Sequence, residues 1–287
     1  ENPRDTFIIN SWGTINMLEA IRMTTAVKAA VFITSDKCYR NNEWIWGYRE
    51  NDALGGGDPY SASKAMAEIA IEAYRDAFFP WGDRGENAVA VASVRAGNVV
   101  GGGDWARDRL LPDAIRALTE GRSIDIRSPR ATRPWQCVFS PLSGYMWLGV
   151  RLLLDGAKFA EPWNFGPIDL ASDSVQNIVK KVIQLWGSGE WRDMSRGDEP
   201  HEAHWLTLSW EKAAVRLDWH PVYALPEVLA KTVEWYKEWD RQGESADMHA
   251  FSTDQLRTFT EDAHKLQIRW ACPQPSDRIQ RTLVRQL

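Results

Sequence analysis

A chain of 287 residues, 44% hydrophobic and 25% charged, has a globular composition and is long enough for a main body with a smaller appended lobe. Its net charge of −5 excludes the basic face with which nucleic-acid binders displace counterions, but not a small anion held by a few arginines. Cys38, Cys137 and Cys272 stand far apart without a CxxC pair, which excludes a disulfide scaffold or a zinc site and predicts a reducing, cytoplasmic setting.

In chain order, apolar spacing predicts a helix from about Asp5 to Met23, on which Ile8, Ile15, Leu18 and Ile21 give a broad apolar face. Ala29–Ser35 reads as a buried parallel strand. A polar, Gly-rich segment with Trp44, Trp46 and Tyr48 follows, and Pro59 suits the first turn of a helix running to about Phe79. Ala88–Arg95 is the next strand, and Gly97–Arg109, with four glycines, reads as a loop. Then come a helix over Leu110–Glu120, a strand pair around Ser123–Ile126 and Trp135–Phe139, and a helix over Leu142–Leu154. That last apolar run is too short to span a bilayer and carries Arg151. Pro162–Pro167 reads as a strand ending in a turn, and Ser174–Trp186 as a helix capped by Ser172 or Asp173. Trp210–Leu217 and Leu225–Arg241 are further helices, and the tail beyond His249 carries little pattern, with Cys272–Leu287 expected to stay unfolded. Strands alternating with long helices predict a doubly wound parallel α/β body. A dinucleotide domain of that kind starts with a strand and a Gly-rich turn. No such start is present, and Gly101–Gly103 follows a later strand, so the chain reads as a fragment lacking the N-terminal strands.

The run Tyr60-Ser61-Ala62-Ser63-Lys64 puts a phenol and an ammonium four residues apart on one helix face. A cation there favours phenolate and makes the phenol a usable base for a hydroxyl; an exposed helical pair is the plain alternative. Upstream, the first strand ends in Thr34, Ser35, Asp36 and Lys37, and carboxyl ends of parallel strands are where α/β proteins place reacting groups. Alone, these residues could equally form a polar turn capping a helix. With Tyr60 and Lys64 they supply the parts for proton and hydride chemistry.

These residues, with Trp44–Asp52, Asp58–Lys64, Arg95–Trp105, Arg133–Gln136, Pro141–Tyr145, Trp163–Pro167 and His201–His204, closely resemble the NAD-dependent sugar-nucleotide 4,6-dehydratases of the extended short-chain dehydrogenase/reductase family, in the branch that acts on CDP-glucose. The resemblance covers about Asp5 to Asp240. It implies a partial Rossmann NAD-binding domain over 1–105, with 135–166 partly returning to it, a nucleotide-sugar lobe over 106–250, and a tail over 251–287. It further implies NAD as cofactor, with Tyr60 taking the proton of the sugar 4-hydroxyl, Ser35 bonding the same oxygen, and Lys64 holding the nicotinamide ribose. Asp36 would protonate the departing 6-hydroxyl. Lys37 would take the C5 proton or, alternatively, stabilise a C5 enolate. Asn10 resembles the Asn that supports the proton path in this superfamily, a helix-linking amide being its other reading. Asn98, Arg109 and Arg133 are implied on the substrate side. Asn164 and His201 are as consistent with structural roles as with nucleotide contacts. Cys137 departs from the pattern, which has His there, and puts a local nucleotide contact in doubt. No metal is implied. A homodimer through helices 5–23 and 59–79, and a place in deoxysugar biosynthesis, follow from the same resemblance.

Another sugar-nucleotide dehydratase or a 4-epimerase of this fold is the neighbouring reading, disfavoured by Lys37 and the Trp44–Tyr48 segment. A nucleotide-sugar-binding protein without catalysis is the reading from another class.

Overall fold

The computed structural model describes residues 2–79, 89–168, 173–195 and 206–272. Helix α1 (Pro3–Phe7) passes through a π-turn (Ile8–Trp12) into α2 (Gly13–Arg22). Strand β1 (Ala29–Ile33) leads to a short turn (Asp36–Cys38) and then α3 (Pro59–Phe78). Pro59 opens α3, and the Asp58 carboxylate accepts from the Tyr60 and Ser61 amides at 2.9 and 3.0 Å. Such a cap satisfies donors that a helix start leaves open. Next come β2 (Ala90–Ala96), β3 (Asn98–Val100), α4 (Leu110–Thr119), β4 (Ile124–Ile126), β5 (Thr132–Arg133), β6 (Trp135–Cys137) and α5 (Phe139–Asp155). The remainder is β7 (Pro162–Phe165), β8 (Asp173–Ser174), α6 (Val175–Trp186), β9 (Trp191–Asp193), α7 (Glu211–Leu217), α8 (Leu225–Gln242) and α9 (Met248–Lys265).

The central sheet is parallel in the order β1-β2-β7. Alternation along β2 decides its two faces. Val89 and Val91 pack with Leu18 and Ile21 of α2 and Ile71 of α3. Ala90, Ala92 and Val94 pack with Leu148 and Leu152 of α5, Trp163 and Phe165. Helices therefore cover both faces, as the doubly wound expectation requires. A second apolar cluster joins α4, β4, α6 and α8 into the appended lobe.

Four expectations need correction. The segments at 123–126 and 135–139 are strands but do not pair with each other: β4 pairs with β9, and β6 with β3. Strands of three residues carry too little periodicity to name a partner; here the helices packed around them decide it. Asn98–Val100, expected in a loop, is β3. The cap of α6 is Ser174, whose hydroxyl accepts from the Asn177 amide at 3.4 Å. The part of the tail that is described forms α9, which buries Phe259 and Ala263 against Val222, Tyr223 and Val228, while residues 273–287, expected to stay unfolded, lie outside the described residues. Its polar surface hides a narrow apolar stripe, and three aromatic neighbours, Phe139, Tyr223 and Trp270, hold Phe259.

Candidate active site

A cleft of about 1420 Å³ opens at the carboxyl ends of β1 and β2 and runs along the lobe. Ile33, Thr34, Ser35, Asp36, Lys37, Tyr60, Ala96, Gly97 and Asn98 line its inner end, and Arg109, Arg133, Trp135 and Tyr145 stand on its other walls. The structure thus brings the strand tip and the Tyr60 helix together, as the sequence predicts.

The tip is held by its own hydrogen bonds. The Ser35 hydroxyl donates to Asp36 Oδ1 at 3.0 Å and accepts from the Lys37 amide at 3.3 Å. Asp36 is only 6% exposed. A Cβ on Gly97 would stand 3.3 Å from Asp36 Oδ2 and 3.6 Å from Pro134 Cγ, so a residue without a side chain gives the carboxyl its place. Burial pushes Asp36 above the ordinary carboxylate range, against the opposing pull of Lys37, Ser35 and Arg133.

Tyr60 is 42% exposed to the cleft. Burial pushes its phenol up; the Ser35 hydroxyl and Arg109 pull it down, and Asp36 and Asp58 push it up. Against expectation, Lys64 is not among the groups that pull the phenol down; its ammonium lies over the ring, 5.9 Å from the centroid. Lys64 is itself lowered by burial, with Glu68 opposing.

What fixes α3 against the strand tips is a buried carboxylate one turn beyond Lys64. Glu68 Oε2 accepts from Arg95 Nη2 and from the Ser93 hydroxyl, both at 2.7 Å, and Oε1 accepts from the Thr34 hydroxyl. Arg95 continues the network to the Tyr39 hydroxyl at 2.6 Å. Nothing in spacing alone singled out Glu68; its position one turn after Lys64 was the available signal.

The other predicted residues divide. Asn98, Arg109 and Arg133 line the cleft. Arg109 is ion-paired with Asp104 at 2.8 Å, and Tyr236 in turn donates to the Asp104 carbonyl at 2.6 Å. Asn10 sits in the π-turn and donates to the Ser63 hydroxyl at 3.0 Å, linking α3 to the first helices rather than lining the cleft. Asn164 is not brought to the cleft. It is fully buried, accepting from the Tyr39 hydroxyl at 2.8 Å and donating to the Tyr48 carbonyl at 2.8 Å, and so braces the Trp44–Tyr48 segment. His201 lies outside the described residues. Among the described residues no cluster of metal-ligating side chains is found, and no helix is long and apolar enough to cross a membrane. Tyr145 was read only as part of a resembling run, without a role, yet it stands in the cleft wall.

Comparison with known proteins gives this geometry its context. Residues 1–138 match the model of the NAD dependent epimerase/dehydratase family. Over 241 residues the chain is 48% identical to CDP-glucose 4,6-dehydratase of Salmonella typhimurium, covering 84% of this chain and 67% of that protein. The chain belongs to the NAD-dependent epimerase/dehydratase family. The human dTDP-D-glucose 4,6-dehydratase is more distant, 24% identical over 238 residues, which cover 80% of this chain and 62% of that one. Among solved structures, the fold matches dTDP-glucose 4,6-dehydratase from Bacillus anthracis in complex with NAD, at a TM-score of 0.67 and 22% identity, covering 82% of this chain and 70% of that chain. It also matches UDP-glucuronic acid 4-epimerase from Bacillus cereus, at a TM-score of 0.66 and 18% identity, covering 80% and 68%.

The residues present fit the nicotinamide-ribose end of the family's cofactor. Tyr60 lines the cleft beside Ile33, Ala96 and Gly97, and Lys64, behind it on the same helix face, reaches over the Tyr60 ring without itself lining the cleft. Gly101–Gly103 is not a pyrophosphate cradle: a Cβ on Gly102 would stand 2.0 Å from Trp235 Cγ, so this run packs on α8 instead.

Proposed function

We propose that the protein converts CDP-glucose to CDP-4-keto-6-deoxyglucose, a 4,6-dehydration. The observation that carries this reading is the meeting, in one cleft, of Tyr60 and Ser35 with the buried acid Asp36 and the adjoining amine Lys37. The 48% identity to the Salmonella CDP-glucose dehydratase supports the substrate.

In this reading Tyr60 takes the proton of the 4-hydroxyl while Ser35 hydrogen-bonds the same oxygen, and Lys64 holds the nicotinamide ribose and the phenol's orientation. Bound NAD supplies the hydride acceptor for C4 and the hydride donor for C6. A 4-ketone acidifies the C5 hydrogen, and Lys37 takes that proton. Asp36, whose protonated form is favoured by its burial, gives its proton to the 6-hydroxyl, which leaves as water. Asn98, Arg109 and Arg133 provide the substrate-side contacts, the arginines suiting the diphosphate by their planar donor forks. Asn10 supports the position of Lys64 through Ser63.

Exposed apolar side chains on the first helices and on α3, among them Ile9, Trp12, Met17, Met66 and Ile69, support a homodimer through these helices. Widely spaced thiols fit a cytoplasmic enzyme.

The test is incubation of the full-length protein with CDP-glucose and NAD in deuterium oxide. The expected product is the 4-keto-6-deoxy sugar with deuterium at C5, and Lys37→Ala loses that incorporation. Unchanged CDP-glucose, or a 4-epimer, overturns the reading.

A further inference from the structure

Tyr145 lies on α5, on the wall of the cleft away from the Tyr60 helix. Its placement is built into the packing. The ring meets Phe165 of β7 edge-on, with centroids 5.4 Å apart. The preceding Gly144 lets α5 approach, since a Cβ there would stand 2.3 Å from Phe165 Cε1. The phenol is pushed up by burial and by the charge of Asp36, so acid and phenol feel each other across the cleft. The Tyr145 hydroxyl makes no hydrogen bond to any of the described residues, and the residue lines the cleft.

Tyr145 and Asp36 line the same cleft, where the acid has other neighbours. Ser35 donates to Oδ1, and the backbone of the Asp36–Cys38 turn lies below. Lys37 and Arg133 act on the carboxyl from the turn and from β5. The Cys38 thiol, itself pushed up by burial, and the Tyr60 phenol are the other titratable neighbours. Gly97 lies on the Oδ2 side, a Cβ there standing 3.3 Å from that oxygen.

We propose that Tyr145 is a positioning residue for Asp36: its free hydroxyl donates a hydrogen bond to the carboxylate that forms when Asp36 hands its proton to the departing sugar hydroxyl. This rests on the dehydratase reading and assigns to Tyr145 the elimination half of the reaction, not the oxidation half. The proton passes from Asp36 to the 6-hydroxyl, the C6–O bond breaks, water leaves, and the negative charge stays on Asp36, where the phenol meets it. Without the phenol the carboxylate is less stable and the acid weaker.

Tyr145→Phe keeps the ring against Phe165 and removes only the hydroxyl, so the packing of α5 survives. In the full-length protein with CDP-glucose and NAD, kcat is expected to fall about tenfold, the scale of a hydrogen bond to a charged group, with KM little changed. A rapid quench is expected to show CDP-4-ketoglucose accumulating ahead of the 6-deoxy product. The alkaline limb of the pH profile is expected to move to higher pH, because Asp36 now keeps its proton longer; a hydroxyl with a merely structural role would not move it. Wild-type turnover with an unmoved limb, or a loss that falls on 4-ketoglucose formation itself, overturns the proposal while leaving the dehydratase reading intact. Wild-type protein that makes no keto sugar from CDP-glucose overturns that reading, and this inference with it.

Discussion

At the residue scale, Asp36 is one source of the molecule's pH dependence. Burial holds its proton-bound form above the ordinary carboxylate range in the folded state, so the folded chain binds this proton more tightly than the unfolded one. The sign follows: its contribution to stability is complete below the unfolded-state value and is lost as pH rises through the raised folded value. In the proposed reaction the same direction governs chemistry: Asp36 as general acid acts in its protonated form, so elimination is expected to decline as pH rises through that value. Asp36→Asn is expected to flatten the dependence of melting temperature on pH over this window. It is also expected to slow product formation by about 100- to 10,000-fold, the usual range for losing a general acid. A melting profile against pH that keeps the wild-type slope would remove Asp36 as its source. The Ser-Asp-Lys run was legible in the sequence because three polar groups followed an apolar strand. The depth of Asp36 was not, because it depends on Gly97 and Pro134 arriving from other elements.

The element that most needs fixing is α3, which carries Tyr60 and Lys64. Its inner face is tied to β1 and β2 by the Glu68–Arg95 pair at 2.7 Å, each side chain only 3% exposed, together with Thr34 and Ser93. Burial raises Glu68, but the Arg95 hydrogen bond and charge and the two hydroxyls outweigh it, and the carboxyl is held below its ordinary value. Its stabilising share is thus present above the unfolded-state value and lost as pH falls through the folded one. Glu68→Gln leaves a buried guanidinium without its counter-charge and is expected to cost about 3–5 kcal/mol in urea unfolding. Pairing Glu68→Leu with Arg95→Met is expected to cost less than Glu68→Gln alone, because an apolar pair leaves no buried charge. If the double variant is the less stable, the network and not the charge imbalance sets the cost. Long elements such as α3, α5 and α8 were readable from period and caps. The pairings of β3 with β6, β4 with β9 and β5 with β8 were not, since two- or three-residue strands take their partners from the packing around them. Asn164 shows the same limit: beside a strand end it resembled a ligand contact, and only the fold reveals Tyr39 and Tyr48 using up its amide.

On the scale of the whole molecule, α3 has two differently made faces. The inner one combines the Glu68 hydrogen-bond network with apolar residues such as Ile71; the outer one, continuous with the first helices, exposes Trp12, Met66 and Ile69 to solvent in the single chain. Apolar area of this kind gains about 25 cal/mol for each Å² removed from water, and a stable pair of subunits covers roughly 800 Å² on each partner. Two helices from each copy, meeting on that face, would bury it. Replacing Trp12 and Ile69 together by Glu places like charges on both copies of a two-fold interface, where each faces its own equivalent or a neighbour of it. Sedimentation is expected to show the wild type as a dimer and the double variant as a monomer. Both side chains are more than half exposed, Trp12 at 60% and Ile69 at 55%, so the variant's own fold loses little buried contact. Because Glu68 and Arg95 hold α3 from within, the Tyr60 and Ser35 geometry belongs to one chain, and the monomer is expected to keep oxidising CDP-glucose at C4. A double variant that still sediments as a dimer would place the interface elsewhere. A monomer that has lost oxidation would instead mean that α3 needs support from both faces to hold Tyr60 over the strand tip.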